Sequence, residues 1–164
     1  SSRRRHTRYI SVTGVQTCAL PISNARIVAG TAVYTANFTP PTTPLTAISG
    51  TVFLSAQSNR FKDNSSLNTT LTTVGTPTVQ AFEPFEPTAS YSAAAYGGSG
   101  YFNGSTDYLS LTDDGSFDFG TGDFTVEAYI CPFSFPADGN TIAAGLGPTN
   151  GDWMFALEIG RAHV

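Results

Sequence analysis

Gly97 to Ile130 reads GGSGYFNGSTDYLSLTDDGSFDFGTGDFTVEAYI, and its reading decides the fold. From Phe124 onward the residues alternate. Phe124, Val126, Ala128 and Ile130 point one way, and Thr125, Glu127 and Tyr129 point the other. A period of two marks a strand with one face on a core and one toward water or a partner. Tyr108 to Leu111 repeats the pattern with Leu109 and Leu111 inward. Between these strands, Asp113-Asp114-Gly115 and Gly120-Thr121-Gly122-Asp123 carry turn chemistry. Short strands at close spacing predict an antiparallel sandwich.

Working outward, the ordered series Tyr101-Phe102-Asn103-Gly104, Asp107-Tyr108-Leu109 and Phe117-Asp118-Phe119-Gly120-Thr121-Gly122-Asp123-Phe124-Thr125-Val126-Glu127 resembles the front half of a LamG-like jelly-roll domain. That family belongs to the concanavalin A-like lectin and glucanase group. The resemblance covers about a third of the chain. It implies an all-β fold, an antiparallel β-sandwich jelly roll of concanavalin A-like type, here truncated. It speaks to fold more than to activity, because such sandwiches host many functions. Upstream, ARIVAGTAVYTANFTPPTTPLT is similar to the closing strand and exit segment of such a repeat. Residues 24–50 are therefore expected to be the closing strand and linker of a preceding repeat, and residues 51–157 the first part of the next one.

The two ends carry a different signal. Glu158 to Val164 can be encoded as GAG ATC GGA AGA GCA CAC GTC. The reverse complement, read one base in, is ACG TGT GCT CTT CCG ATC TC, which encodes Thr17-Cys18-Ala19-Leu20-Pro21-Ile22 and opens the codon of Ser23. No protein function requires the two ends to be written on opposite strands of one DNA segment. Residues 1–23 and 158–164 thus resemble translated sequencing-adapter sequence and are expected to add nothing specific to the fold. The basic run Arg3, Arg4, Arg5 and Arg8 lacks the uninterrupted apolar core of a signal peptide.

Setting the ends aside changes the composition. The whole chain has a formal charge of −4, but between Asn24 and Leu157 three basic residues (Arg26, Arg60, Lys62) face eleven acidic ones, a net −8. Both histidines, His6 and His163, lie in the ends, which removes histidine chemistry. Cys131 is left as a lone cysteine, so no disulfide with Cys18 is inferred. An acidic surface argues against nucleic acid and anionic membranes as partners, and no apolar run is long enough to span a bilayer.

Further strands are predicted at Ala25–Val28, Thr31–Tyr34, Val52–Leu54, Leu71–Val74, Thr78–Phe82, Thr141–Ala144 and Trp153–Leu157. Phe38-Thr39-Pro40-Pro41-Thr42-Thr43-Pro44 reads as an extended connector, because proline cannot donate to a ladder. Phe82-Glu83-Pro84-Phe85-Glu86-Pro87 reads as an aromatic-proline linker, and Asp63-Asn64-Ser65-Ser66 as a turn.

Four chemistries compete. Glycoside hydrolysis needs two positioned carboxyls, and the matching strand offers only Glu127. Calcium binding has hard oxygen ligands in Asp107, Asp113, Asp114, Asp118 and Asp123, although acidic turn residues commonly cap their own backbone. Tyr96, Tyr101, Tyr108 and Tyr129 are candidates for stacking on sugar faces. Asn37, Asn64, Asn68 and Asn103 stand in acceptor triplets for N-glycosylation. The resemblance points to a non-catalytic carbohydrate-binding or adhesion module of a virion, phage-tail or cell-surface repeat protein, extracellular or virion-associated. Its partners would be a glycan or host-surface receptor and neighbouring repeats, with calcium as the one candidate cofactor. A ligand-free spacer repeat is the alternative, and a glucanase-like hydrolase a distant third.

Overall fold

The β-branched and aromatic runs become strands wherever an alternating apolar side finds a facing layer. A computed structural model of the chain describes residues 7–8, 20–81, 84–85, 97–104, 106–112, 115–131, 142–145 and 154–157. The strands are β1 (Thr7–Arg8), β2 (Leu20–Ala29), β3 (Thr51–Ser55), β4 (Leu71–Val74), β5 (Thr78–Gln80), β6 (Ser99–Phe102), β7 (Tyr108–Thr112), β8 (Phe124–Ile130), β9 (Ile142–Gly145) and β10 (Met154–Leu157). No helix occurs among the described residues, and every ladder is antiparallel. The chain is all-β.

The larger sheet is built around β2. Ile27 lies opposite both Phe53 of β3 and Val126 of β8, and Ile22 lies opposite both Gly100 of β6 and Ile130 of β8. A strand has two edges, so β8 follows one edge of β2 while β3 and β6 share the other. β5 pairs onto β6 and completes this sheet. The smaller sheet runs β1-β7-β4, and β9 with β10 forms a separate antiparallel pair.

The place where β3 gives way to β6 is marked by a break in β2. Asn24 adopts φ 53, a left-handed conformation that asparagine tolerates better than most residues. Its N–H donates to Ala56 O (2.9 Å), and its side-chain Nδ2 donates to Ser23 Oγ (2.7 Å). Ser23 Oγ in turn donates to Gly98 O (3.1 Å). Gly97, at φ +80, passes so close to the exit of β3 that an added Cβ would stand 1.8 Å from Gln57 O. Only glycine fits there.

Two buried clusters join the sheets. Ile27 and Phe53 meet Leu111 and Phe117, with Val126 and Leu71 packed beside them. Ile22 and Phe102 meet Leu109, with Phe61 and Ile130 alongside. Side chains of β2, β3, β6 and β8 thus face those of β4 and β7 across one core, an arrangement compatible with a β-sandwich.

Two sequence expectations need correction. Thr31–Tyr34 is not a strand, because the chain leaves the ladder at Gly30, whose N–H donates to Asp123 O (2.8 Å). Val33 N–H then donates to the Thr125 side chain (2.9 Å) rather than to a neighbouring backbone. Phe124 and Ala128 share the side of Val126 and Ile130, yet both are exposed. Phe124, 45% exposed, opens β8 at the rim of the core and lies flat on Phe119, with ring centroids 4.6 Å apart. Leu20 to Ser23, from the end read as adapter-derived, extend β2 at its start, and Ile22 and Ser23 are buried. A ladder is made of backbone groups, so an open edge accepts a compatible segment whatever its origin.

Candidate functional site

The outward side of β8 carries Thr125, Glu127 and Tyr129, and each is met by the 30–50 segment. The ends of that segment nearly touch, since Ala29 N–H donates to Gly50 O (2.9 Å). A two-residue turn could span the gap. The chain instead runs out and back over the sheet as a strap. It has no ladder of its own and carries three prolines, Pro40, Pro41 and Pro44.

A buried ion pair holds the strap down. Arg26, on β2 opposite Glu127, donates through Nε to Glu127 Oε1 (2.6 Å), with Nη2 also 2.5 Å from that oxygen. Arg26 Nη1 donates to Thr46 O in the strap (2.7 Å). Tyr34 OH donates to the second carboxylate oxygen, Glu127 Oε2 (2.8 Å). Partial burial raises the Tyr34 phenol above its ordinary pKa near 10. The hydrogen bond to Glu127 and the charge of that carboxylate add to the rise, and Arg26 opposes it. Nearby, Tyr129 OH donates to Pro41 O (2.5 Å), and its phenol is raised by burial and by the Glu127 charge. Leu45, buried in the strap, donates its N–H to Asn24 Oδ1 (2.8 Å) and accepts from Gln57 Nε2.

The strap ends this chain of contacts with an aromatic pair. Phe38 stacks on Tyr34 with centroids 3.8 Å apart and planes at 14°. Tyr34 is half-buried, whereas Phe38 is 54% exposed. One ring is therefore fixed through Glu127 and Arg26, and it presents the other outward. Neither residue is among the tyrosines expected from sequence. The available signal was Phe38 directly before Thr39-Pro40-Pro41, where an aromatic on a stiff connector cannot fold away into a strand.

Three of the expected sugar-stacking tyrosines are among the described residues, each on a different strand. Tyr129 lies beneath the strap, with Phe85 edge-on to its ring (4.8 Å, 75°). Tyr101 is half-buried on β6, between inward-facing Gly100 and Phe102. Tyr108 is half-buried on β7 of the smaller sheet. Tyr96 lies outside the described residues.

Of the expected calcium ligands, Asp107, Asp118 and Asp123 are among the described residues. Asp107 is buried. Its Oδ1 accepts from Thr76 N–H (2.8 Å) and from Thr106 Oγ1 (3.4 Å), and its Oδ2 accepts from Asn103 N–H (3.2 Å). Asn103 Oδ1 answers by accepting from the N–H groups of Thr106 (2.9 Å) and Asp107 (3.1 Å). The carboxylate thus ties the β6–β7 loop to the turn at Gly75, where a Cβ would stand 2.2 Å from Asp107 Oδ1. Asp118 and Asp123 are exposed, and Asp113 and Asp114 lie outside the described residues. Among the described residues no three His, Cys, Asp or Glu side chains come together as a metal set.

A second buried carboxylate was read from sequence only as part of a turn. Asp63 accepts from the N–H groups of Leu54 (3.0 Å), Ser65 (2.9 Å) and Thr69 (2.9 Å), and from Ser65 Oγ (2.8 Å). It closes its own loop and fastens it to β3.

No helix among the described residues is long and apolar enough to cross a membrane. Compared with known protein families, with curated proteins and with solved structures, the chain matches none.

Proposed function

We propose that the chain is a non-catalytic carbohydrate-binding or adhesion module. In this reading it is a LamG-like jelly-roll repeat of a virion, tail or cell-surface protein and acts outside the cell. The observation that carries the reading is the Phe38–Tyr34 pair. An exposed aromatic face, fixed before any ligand arrives, binds at a lower ordering cost than a free side chain. The apolar face of a sugar ring is flat and matches such a surface, and exposed Asn37 and Thr39 flank Phe38 in the chain with polar groups for the sugar hydroxyls. The state of Glu127 supports a non-catalytic role. A glycosidase acid needs a carboxyl free to exchange a proton with the bond it cleaves, and both oxygens of Glu127 are held by Arg26 and Tyr34.

A spacer repeat without ligand is the second reading. It is favoured by the way Asp63 and Asp107 direct their oxygens to the chain's own loops. Screening the purified chain on an array of diverse glycans separates the two. The adhesion reading expects retention of a defined glycan set that Phe38→Ala abolishes without moving the unfolding midpoint. Equal retention by the variant refutes the platform, and absence of retention across the array supports the spacer.

A further inference from the structure

Tyr34 and Phe38 lie in the longest stretch of the chain without an acidic or basic side chain. From Ile27 to Asn59 there is no Asp, Glu, Lys, Arg or His, while the segment from Asn24 to Leu157 as a whole carries −8. The strap is therefore uncharged from end to end. Among the described residues, its hydrogen bonds reach a charged side chain only at Arg26 and Glu127. Those two charges are opposite and paired with each other beneath the strap, so they offer a ligand neither a cation nor an anion. Tyr34 adds no charge either, because its raised phenol keeps its proton at neutral pH.

The strap instead presents groups that both donate and accept. Thr35, Asn37, Thr39, Thr42 and Thr43 are exposed along it. A hydroxyl or a carboxamide can do both, which suits a sugar hydroxyl, itself a donor and an acceptor. A carboxylate or sulfate only accepts, and an ammonium only donates. Either would give up hydration at the platform without meeting an opposite charge, which is unfavourable. The acidic field of the segment adds a repulsion against polyanions at low salt. Tyr34 covers one face of the Phe38 ring, and with Phe38 54% exposed the other face is left for one flat ring.

Resting on the adhesion reading above, we infer that the Phe38–Tyr34 platform takes a neutral hexose unit of a polysaccharide and rejects uronic, sulfated and amino sugars. The selection lies in what the strap lacks as much as in what it shows, since specificity is a difference between the affinities of competing ligands.

Frontal affinity chromatography of the full-length chain tests this. Three columns carry neutral polysaccharides, a β-glucan, an α-mannan and a β-galactan. Two further columns carry polygalacturonate and glycol chitosan. The readout is the part of the retention that Phe38→Ala removes, since Arg3, Arg4, Arg5 and Arg8 at the N-terminus hold a polyanion whatever the platform does. The expected result is retention on a neutral column that Phe38→Ala weakens on the order of tenfold. Phe38→Trp, which keeps a flat ring, retains it and shows that the loss is not one of folding. That retention should change by less than about twofold between about 0.01 and about 1 M salt, over which the screening length falls from about 30 to about 3 Å. Phe38-dependent retention on polygalacturonate or glycol chitosan, with none on the neutral columns, overturns the inference and leaves the adhesion reading standing. Absence of Phe38-dependent retention on every column overturns both.

Discussion

Phe117 and Phe124 stand seven positions apart in one motif, and the structure gives them opposite weights. Phe117 is 1% exposed and packs with Ile27, Phe53 and Leu111 where the two sheets meet. Truncation to alanine removes a fully buried ring and leaves a cavity, which costs about 3–5 kcal/mol. Phe124 is 45% exposed and stacks on Phe119. An aromatic pair contributes about 0.5–1.5 kcal/mol beyond its buried area, so Phe124→Ala is expected to cost about 1 kcal/mol. With a urea slope of about 1.5 kcal/mol/M, the midpoint moves down by about 2–3 M for Phe117→Ala and by less than about 1 M for Phe124→Ala. Equilibrium urea unfolding followed by far-UV circular dichroism reads both. Equal midpoint shifts at unchanged slope would show that the rim and the core of the inward side have been confused.

Glu127→Ala leaves the buried Arg26 guanidinium without its anion and is expected to cost about 3 kcal/mol, with Glu127→Gln intermediate. Thermal unfolding of the two variants checks the order, and a neutral Glu127→Ala would mean that the pair is solvated. Asp63→Ala strands three backbone N–H groups at a buried site and should cost about 3 kcal/mol or more by urea unfolding, whereas a surface-like loss under about 0.5 kcal/mol would deny the carboxylate its role. Gly97→Ala places a methyl on Gln57 O at a positive φ and should lose about 2 kcal/mol or more, measured the same way. Tyr34 and Tyr129 hold their protons more tightly folded than unfolded, so their contribution is complete below pH 10 and is lost as pH rises through the raised values. Stability measured from pH 8 to 11.5 should therefore fall above about pH 10, and Tyr34→Phe with Tyr129→Phe should flatten the fall.

Alternation made most of the sheet legible. Val126 and Ile130 face the core as the period of two requires, and so do Leu109 and Leu111. The same period says which way a side chain points and not whether anything covers it, which is why Phe124 was misjudged. Thr31–Tyr34 has strand composition, but the Gly30 N–H just before it goes to Asp123 O and the Val33 N–H goes to the Thr125 side chain, 92 positions away. Ser99–Phe102 opens on a serine between two glycines and has no apolar alternation, yet it pairs because Gly100 lets Phe61 and Phe102 pack close. For the site, Glu127 was legible as a lone carboxylate on a strand, but its partner was not. Arg26 lies 101 residues earlier, and no local pattern links the two. Tyr34 and Phe38 were hidden for the same reason, since an aromatic in a connector gains meaning only from the surface beneath it.

The separation of 101 positions between Arg26 and Glu127 has a consequence for how the chain is made. During synthesis at about 5–20 residues per second, β2 emerges roughly 5–20 s before β8 exists to receive it. For that interval the ribosome holds out a strand rich in unpaired backbone donors and acceptors, along with the arginine meant for a buried pair. The strap follows immediately, and it cannot close over a sheet that has not yet been built. The order of translation is thus opposed to the order of assembly: the piece at the centre of the sheet is synthesised before every strand it pairs with, and its place is complete only once β8 follows. On a polysome, where many such strands wait side by side, the time to completion of β8 becomes a property of the fold as real as its register.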